Sequence, residues 1–180
     1  DARSLFATLP TESSRPLIER IEMANVLFLE GVEDLSGEEA TRVEGVVRAL
    51  NTEARVVRSD DSELALSSLR SEKPFDLSVA EQRASRMGSP DGELGPLGEF
   101  VQFTYFERAP FHPERLYAFL GEPWPGVLRV QGSFWVASRP DFLVSLDVAG
   151  GSRLTSCDGK WWATVPSEQR PTNPRFQEYL

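Results

Sequence analysis

Two consecutive runs of alternating residues constrain the fold of this chain more than any other feature. Residues 128–136 place apolar side chains at every second position, apart from Gly132, and residues 142–148 repeat the same period of two. Successive side chains of a strand point to opposite faces of its sheet, so each run predicts a strand with one apolar face. The region therefore predicts an antiparallel sheet that needs a cover on that face.

Proline and glycine bracket the segment before these strands. Pro113 suits the first position of a helix, and Gly121 and Pro123 cannot continue one, so PERLYAFL predicts a helix of about two turns. The helix places Leu116 and Leu120, together with Phe119, on one face. This helix is the expected cover for the sheet.

A hairpin is predicted after the strands. Asp158-Gly159 is a hairpin-turn signal that would join Arg153–Cys157 to Lys160–Val165. Trp161 and Trp162 would then be neighbours in one strand and would point to opposite faces of the sheet. Only one of them could belong to a one-sided core.

The N-terminal part of the chain has a different pattern. Helices are predicted at Pro16–Ala24 and after the capping box Ser36-Gly37-Glu38-Glu39, with strands at Asn25–Leu29 and Ala54–Arg58. Ala40, Val43, Val47 and Leu50 form the predicted inward face of the second helix. Alternation of this kind predicts parallel strands with crossover helices.

Composition divides the chain into four segments. Residues 1–69 form the α/β part, and residues 70–98 contain one predicted helix followed by the turn-rich linker GSPDGELGPLG. Residues 99–165, from FVQFTYF onward, form the antiparallel part, and residues 166–180 are read as an extended tail. Two further helices are predicted at Ser62–Leu69 and Leu77–Met87.

Four sequence blocks resemble a known family. They are Arg108–Leu116, Trp124–Trp135, Ala137–Arg139 and Gly159–Ala163, and they match the motifs R-x-P-F-H-P-x-R-L/F, W-P-G-V-L-R-x-K-G-x-F-W, A-x-R and G-x-W-W-A. In this order they closely resemble the C-terminal domain of the CobW family of P-loop GTPases and metallochaperones. The stretches LIERIEMANVLFL, ALNTEARVVRSD and KPFDLSVAE are similar to elements that precede that domain. Gln131 stands where the family usually has lysine.

The resemblance implies an α/β remnant of a P-loop GTPase domain, followed by an α+β domain with a mostly antiparallel sheet and helical cover. The sequence has no G-x-x-x-x-G-K-S/T phosphate loop and no C-x-C-C metal motif. Asp1-Ala2 resembles the end of the family's V-V-D-A strand, so we expect the chain to start midway through a GTPase domain. GTP, Mg²⁺ and zinc or cobalt are implied for the intact family member, and no cofactor is expected in this chain.

Two functional hypotheses follow from the resemblance. The first is the C-terminal portion of a GTP-dependent metallochaperone, itself non-catalytic, which senses the nucleotide state and binds a client metalloprotein or the missing N-terminal GTPase segment. The alternative is a stand-alone, non-catalytic interaction module derived from the family. Two parallel strands cannot satisfy both edges of their sheet, and a homo-oligomer is one of the arrangements that would.

The segment LEGVEDL occupies the place of the family's guanine-reading N-K-x-D loop. Glu30 and Gly31 replace its Asn and Lys, and Glu33 or Asp34 would be the acidic base partner. One interpretation is an altered purine contact centred on Asp34. The favoured interpretation is a surface loop whose acidic residues precede a helix N-terminus, where negative charge is stabilising.

Aromatic and arginine residues of the predicted sheet suggest a partner surface. Trp135 lies on the polar face of its strand with Arg129, and Arg139 and Trp162 complete the predicted partner-binding residues. The other interpretation is that helices cover both faces and every tryptophan belongs to the core. The sequence leaves both open.

His112 and Cys157 are the only histidine and cysteine. No motif pairs His112 with a nucleophile, so a structural role at the helix entry is expected. The spacing of the two residues does not match a zinc site. A single cysteine forms no internal disulfide, which fits the reducing cytoplasm expected for this chain.

Charge and hydropathy exclude two classes of partner. The formal net charge of -9 and the pI near 4.7 oppose binding to nucleic acid phosphates. No run reaches the roughly 18 apolar residues of a membrane-spanning helix. We therefore expect neither nucleic acid nor membrane as a partner.

Overall fold

The computed structural model describes residues 14–58, 96–97 and 100–170. The chain divides into two compact units, each described by itself below. Unit 1 comprises Asp1–Phe106 and Val148–Ser152, and unit 2 comprises Glu107–Asp147 and Arg153–Leu180.

Unit 1 begins, in its described part, with two helices and a parallel pair of strands. The order is α1 (Arg15–Met23), β1 (Val26–Leu29), α2 (Gly37–Leu50) and β2 (Arg55–Arg58). Val26 pairs with Arg55 and Leu29 with Arg58, so β1 and β2 run parallel and α2 is the crossover between them. The predicted parallel strands with a crossover helix are confirmed.

Helix α2 starts where the sequence predicts, because its first turn carries a complete capping box. The Glu39 backbone N–H donates to Ser36 Oγ over 3.3 Å, and the Ser36 backbone N–H donates to Glu39 Oε2 over 2.9 Å. Two backbone donors that a helix N-terminus leaves unpaired are thereby satisfied.

The core of unit 1 is formed mainly by the facing sides of α1 and α2. Ile18 and Val43 are fully buried, and Val47 is 2% exposed. The other buried apolar residues of unit 1 are Ile21, Val32, Val46, Leu50, Ala54, Val148 and Ala149. Of the predicted inward face of α2, Ala40 is half-buried, and Val46 takes a buried place that the prediction omitted.

Asn51 joins the end of α1 to the start of β2. Its Nδ2 donates to the carbonyl oxygens of Ile21, Glu22 and Ala24 over 2.8, 3.1 and 2.9 Å. Its Oδ1 accepts from the backbone N–H groups of Glu53 and Ala54. The side chain is 4% exposed, so each of these bonds satisfies a group that water reaches poorly.

A second small sheet in unit 1 pairs β3 (Pro96–Leu97) with β4 (Phe100–Val101) in antiparallel register. The predicted FVQFTYF strand is therefore too long, because residues 102–106 have no regular structure. Phe103, Tyr105 and Phe106 are 80, 68 and 67% exposed. Aromatic residues favour strands where they pack on a neighbour, and the described part of the chain gives these three little to pack on.

Unit 2 contains one helix and most of a three-stranded sheet in its described residues, and the turn-proximal residues Val148–Ser152 of that sheet belong to unit 1. They are α3 (Pro113–Gly121), β5 (Arg129–Val136), β6 (Arg139–Ala149) and β7 (Ser152–Lys160), with strand order β5-β6-β7. Two-residue connections join the strands, and such short links require antiparallel neighbours. The predicted α+β domain with an antiparallel sheet and a helix is confirmed, whereas the P-loop remnant stays a prediction.

The predicted hairpin at Asp158-Gly159 is wrong. The turn lies at Gly150-Gly151, with Gly150 at φ 56°, and β7 runs through Asp158 to Lys160. Cross-strand contacts carry the strand past the Asp-Gly pair, since Ser156 Oγ lies 2.7 Å from Ser145 Oγ and Lys160 Nζ lies 3.4 Å from Asp141 Oδ2.

The two consecutive tryptophans are consequently not in a strand. Trp161 follows β7, and Trp162 begins a 3₁₀ turn, Trp162–Thr164. The prediction that they alternate across a sheet is corrected by this backbone.

Several predicted features lie outside the described residues. They are the helices Ser62–Leu69 and Leu77–Met87, the linker apart from residues 96–97, and the tail from residue 171 onward. The described start of the tail contains a second 3₁₀ turn, Ser167–Gln169. Within residues 14–58 and 100–170, every helix is too short or too polar to cross a bilayer.

Candidate interaction surface

The predicted nucleotide loop follows β1 and leads into α2. Gly31 adopts φ 72°, a left-handed conformation that glycine takes without strain, and it lets the chain turn so that Val32 is buried. The Leu35 backbone N–H donates to the Val32 carbonyl over 3.1 Å and closes the turn that holds Glu33 and Asp34.

This loop lies at the carboxyl end of a parallel strand, which is the edge where open α/β sheets bind ligands. Glu30, Glu33 and Asp34 place negative charge there, and Glu33 and Asp34 directly precede the N-terminus of α2. This geometry is compatible with both interpretations of the loop, a purine contact and a surface loop that precedes a helix. A purine contact by Glu30, Gly31, Glu33 or Asp34 stays a prediction.

The four predicted partner-binding residues lie at two separate places on the sheet of unit 2. Arg129 opens β5, is 10% exposed, and donates through Nη1 to Asp147 Oδ1 over 2.8 Å. Trp135 lies six residues further along the same strand, a distance of about 20 Å. Arg129 is thus part of a cross-strand ion pair remote from Trp135.

Trp135 instead contacts a tryptophan that the prediction had placed elsewhere. Its ring meets Trp161 edge to face, with centroids 5.4 Å apart and an interplanar angle of 80°. Trp161 Nε1 donates to the Phe142 carbonyl over 3.0 Å, so its indole is fixed at the end of the sheet. Both rings are half-buried, and Trp162 beside them is 38% exposed.

Arg139 lies at the same end of the sheet. Its guanidinium carbon is 5.9 Å from the centroid of the Phe142 ring, and Lys160 Nζ is 5.7 Å from the same centroid. Two cations therefore flank one aromatic ring, a favourable arrangement because the ring face is negative. We call Trp135, Arg139, Phe142, Lys160, Trp161 and Trp162 the cationic corner.

Three members of this corner are predicted partner residues: Trp135, Arg139 and Trp162. The other members, Phe142, Lys160 and Trp161, were not among the predicted partner-binding residues. The predicted hairpin at Asp158-Gly159 did not pair Lys160 and Trp161 with β6. Their contacts with Asp141 and Phe142 show that they lie beside that strand. The other interpretation, in which every tryptophan belongs to the core, does not fit Trp162, because its side chain is 38% exposed.

The same sheet also carries two serine hydroxyls that are hydrogen-bonded to each other and to a carboxylate. Ser156 Oγ donates to Asp158 Oδ1 over 2.6 Å and lies 2.7 Å from Ser145 Oγ. These two hydroxyls hold the pKa of the Asp158 carboxyl below its ordinary value. His112 is the N-cap residue of α3 and makes no hydrogen bond to either serine, so these hydroxyls lack the histidine base of a nucleophilic triad.

Metal ligands do not converge in the described residues. Within residues 14–58 and 100–170 no group of three His, Cys, Asp or Glu side chains could hold a metal ion. Cys157 is an exposed free thiol on β7.

Comparison with known proteins identifies the C-terminal part of the chain. The family model for the cobalamin synthesis protein cobW C-terminal domain matches residues 100–175. The zinc-regulated GTPase metalloprotein activator 1 of Dictyostelium discoideum is 28% identical over 163 residues, which are 86% of this chain and 34% of that protein.

A zinc chaperone of Mycobacterium tuberculosis is 33% identical over 125 residues, which are 69% of this chain and 31% of that protein. The chain thus spans about a third of the length of these relatives. No solved structure matches it.

Proposed function

Through residues 100–175 the chain belongs to the family of the cobW C-terminal domain, and from this premise we propose that it is the non-catalytic, partner-binding part of a GTP-dependent metallochaperone. Its task is to contact a client metalloprotein and to respond to the nucleotide state of the intact protein. Relatives named as a zinc chaperone and a zinc-regulated GTPase metalloprotein activator support this role.

The openness of unit 2 carries the proposal. Among its described residues no side chain is buried, whereas Tyr117, Phe119 and Leu154 are 83, 57 and 55% exposed and Trp162 is 38% exposed. Large exposed apolar side chains beside arginine have the composition of protein-binding hot spots. This surface favours binding to a protein over binding of a small substrate in a closed pocket.

The chemistry of the chain does not fit a triphosphate cradle. A phosphate loop needs a lysine that follows glycine and precedes serine or threonine, and the sequence contains only Lys73 and Lys160. Lys160 follows Gly159 but precedes Trp161, and it lies in a strand next to Asp141. The phosphates of GTP and the Mg²⁺ are therefore assigned to other parts of the intact protein, and so is the zinc or cobalt cargo, for which residues 14–58 and 100–170 offer no cluster of ligands.

The test is a nucleotide assay on the purified chain. Labelled GTP and GDP are titrated with Mg²⁺, and hydrolysis is followed in parallel with one of the full-length relatives as a positive control. We expect phosphate release at the buffer rate and no saturable binding at micromolar concentrations.

Hydrolysis that scales with the concentration of the chain would overturn the non-catalytic role. Micromolar binding that Asp34→Ala abolishes would establish instead that the loop after β1 contacts the nucleotide. An Asp158→Ala variant is the matched control, because it removes one exposed carboxylate from unit 2.

A further inference from the structure

We propose that the cationic corner of unit 2 binds an extended, carboxylate-bearing segment of the client protein. This inference rests on the proposed function, which supplies the client, and adds the surface and the chemistry that it recognises.

Arg139 supplies a cation without a carboxylate partner among the described residues. Its side chain is exposed, and the guanidinium lies beside the Phe142 ring. A ring positions a guanidinium without neutralising it, so the charge and the planar donors of Arg139 remain available to a carboxylate. Arginine suits this task because its donors match both oxygens of a carboxylate.

Two further cations lie here, Lys160 within the corner and Arg170 beside it, and each has an acidic neighbour. Lys160 is 56% exposed and meets Asp141 at 3.4 Å, a distance and exposure at which an ion pair is weak. Arg170 donates to the carbonyl oxygens of Ala163 and Val165 over 3.2 and 2.7 Å, which fixes it at the turn that begins with Trp162. The pKa of Glu168 is lowered mainly by hydrogen bonds from its own backbone N–H and from the Ser167 hydroxyl, and the charge of Arg170 adds a smaller effect.

The aromatic residues of the corner should lose little side-chain conformational entropy when a partner binds. Trp135 and Trp161 already contact each other, and the Trp161 indole N–H is bound to a backbone carbonyl. Side chains that are held before binding lose little freedom when a partner arrives. Trp162, 38% exposed, directly follows Trp161 and adds apolar surface at this end of the sheet. A segment that alternates apolar and acidic residues complements both features.

The charge balance of the chain indicates which partner is attracted here. The whole chain carries -9, yet residues 107–147 and 153–170 contain equal numbers of acidic and basic residues. A cationic corner on an otherwise acidic chain attracts a local carboxylate and orients it toward unit 2. A long polyanion such as RNA would also meet the acidic remainder, which opposes it.

The experiment measures binding of a short fluorescein-labelled peptide, in which glutamate alternates with leucine, to the full chain by fluorescence anisotropy. We expect saturable binding that weakens as salt rises from about 0.1 M to about 1 M. Arg139→Gln should weaken binding about tenfold, the effect of losing one charged anchor. Arg115→Gln, which removes an exposed arginine of α3 from the same unit, should change binding less than twofold, as expected for a charge outside the surface.

A charge exchange makes the test specific. Arg139→Glu should lose the glutamate peptide and gain affinity for the same peptide with lysine in place of glutamate, while its urea midpoint by tryptophan fluorescence stays that of the parent chain. Equal binding of a glutamine-for-glutamate peptide, equal weakening by Arg115→Gln, absence of binding, or tighter binding of a single-stranded oligonucleotide would each overturn the inference.

The two proposals fail separately. GTP hydrolysis by the chain together with Arg139-dependent peptide binding would refute the non-catalytic role and leave the surface standing. Absence of hydrolysis with no peptide binding would refute the surface alone.

Discussion

The two units differ in how far their described side chains are buried. Unit 1 encloses a core in which Ile18, Val43 and Val47 are at most 2% exposed, and ten apolar residues of its described part are buried. Among the described residues of unit 2 not one side chain is buried, although that unit holds all four tryptophans. Amphipathic helices that face each other close a core by themselves, whereas an open sheet with one short helix keeps surface free for a partner.

Directed polar and aromatic contacts replace burial in unit 2. Phe111 and Phe134 meet edge to face at 5.5 Å, and the Arg153 guanidinium lies 4.6 Å from the Trp124 centroid. Arg153 also donates to the Leu120 carbonyl near the end of α3, where a cation is favoured. Such contacts fix the orientation of side chains but contribute less to the free energy of folding than a closed core does.

The largest expected effect tests the core of unit 1. Ile18→Ala removes a fully buried side chain and should lower the free energy of unfolding by about 3 kcal/mol, because it leaves a cavity between two helices. Urea unfolding followed by far-UV circular dichroism measures the change.

Leu154→Ala in unit 2 is the matched control. Leu154 is 55% exposed, so we expect a change within about 0.5 kcal/mol. A cost equal to that of Ile18→Ala would break the comparison, since unit 2 would then have a core of its own.

A smaller loss of stability is expected when the contacts of one cation in unit 2, Arg153, are removed. Arg153→Met keeps the length and apolar packing of the side chain but loses the stacking on Trp124 and the bond to Leu120. We expect unit 2 to lose about 1 kcal/mol of stability. Since all four tryptophans lie between residues 124 and 162, tryptophan fluorescence during urea unfolding reports this unit alone.

Arg115→Met is the control for that substitution, because Arg115 is exposed on α3. An equal loss in both variants would show that general charge, and not the contacts of Arg153, holds the unit.

The smallest effect concerns an ion-pair network on the surface of unit 1. Arg58 and Arg48 donate to Glu44, and their hydrogen bonds hold the pKa of that carboxyl below its ordinary value. A folded-state pKa below the unfolded value stabilises the protein above the unfolded pKa, and this stability is lost as the pH falls through the folded pKa.

Glu44→Gln should therefore lower the free energy of unfolding by about 0.5 kcal/mol at pH 7 and by almost nothing once Glu44 is protonated in acid. Urea unfolding of both proteins across this pH range measures the difference, which should also shrink in concentrated salt. A difference that grows in acid would contradict the assignment of Glu44 as the charged partner.

Local signals in the sequence predicted the elements of unit 1 well. The capping box at Ser36 and Glu39 forms both of its hydrogen bonds, and the predicted strands align in parallel. Asn51 was not assigned a role, although its five bonds join α1 to β2. A side chain that binds the backbone some 30 residues earlier leaves no periodic pattern that a sequence could reveal.

The candidate surface of unit 2 was predicted in part. Trp135, Arg139 and Trp162 were selected from their residue types and strand positions, and the structure places them at one end of the sheet. Arg129 fitted the same pattern, but its pairing with Asp147 became visible only once β5 and β6 were aligned. The purine contact, the client and the metal remain predictions.

The order of apolar and polar residues by itself determined that residues 128–149 form a sheet, because strand period and short turns are properties of neighbouring residues. The tertiary structure alone decided which of two glycine-containing turns reverses the chain. Both Gly150-Gly151 and Asp158-Gly159 satisfy the local rules, and the choice depends on pairs such as Ser145 with Ser156, which form only when distant strands meet. That choice placed Lys160 and Trp161 beside Phe142 and so created the cationic corner.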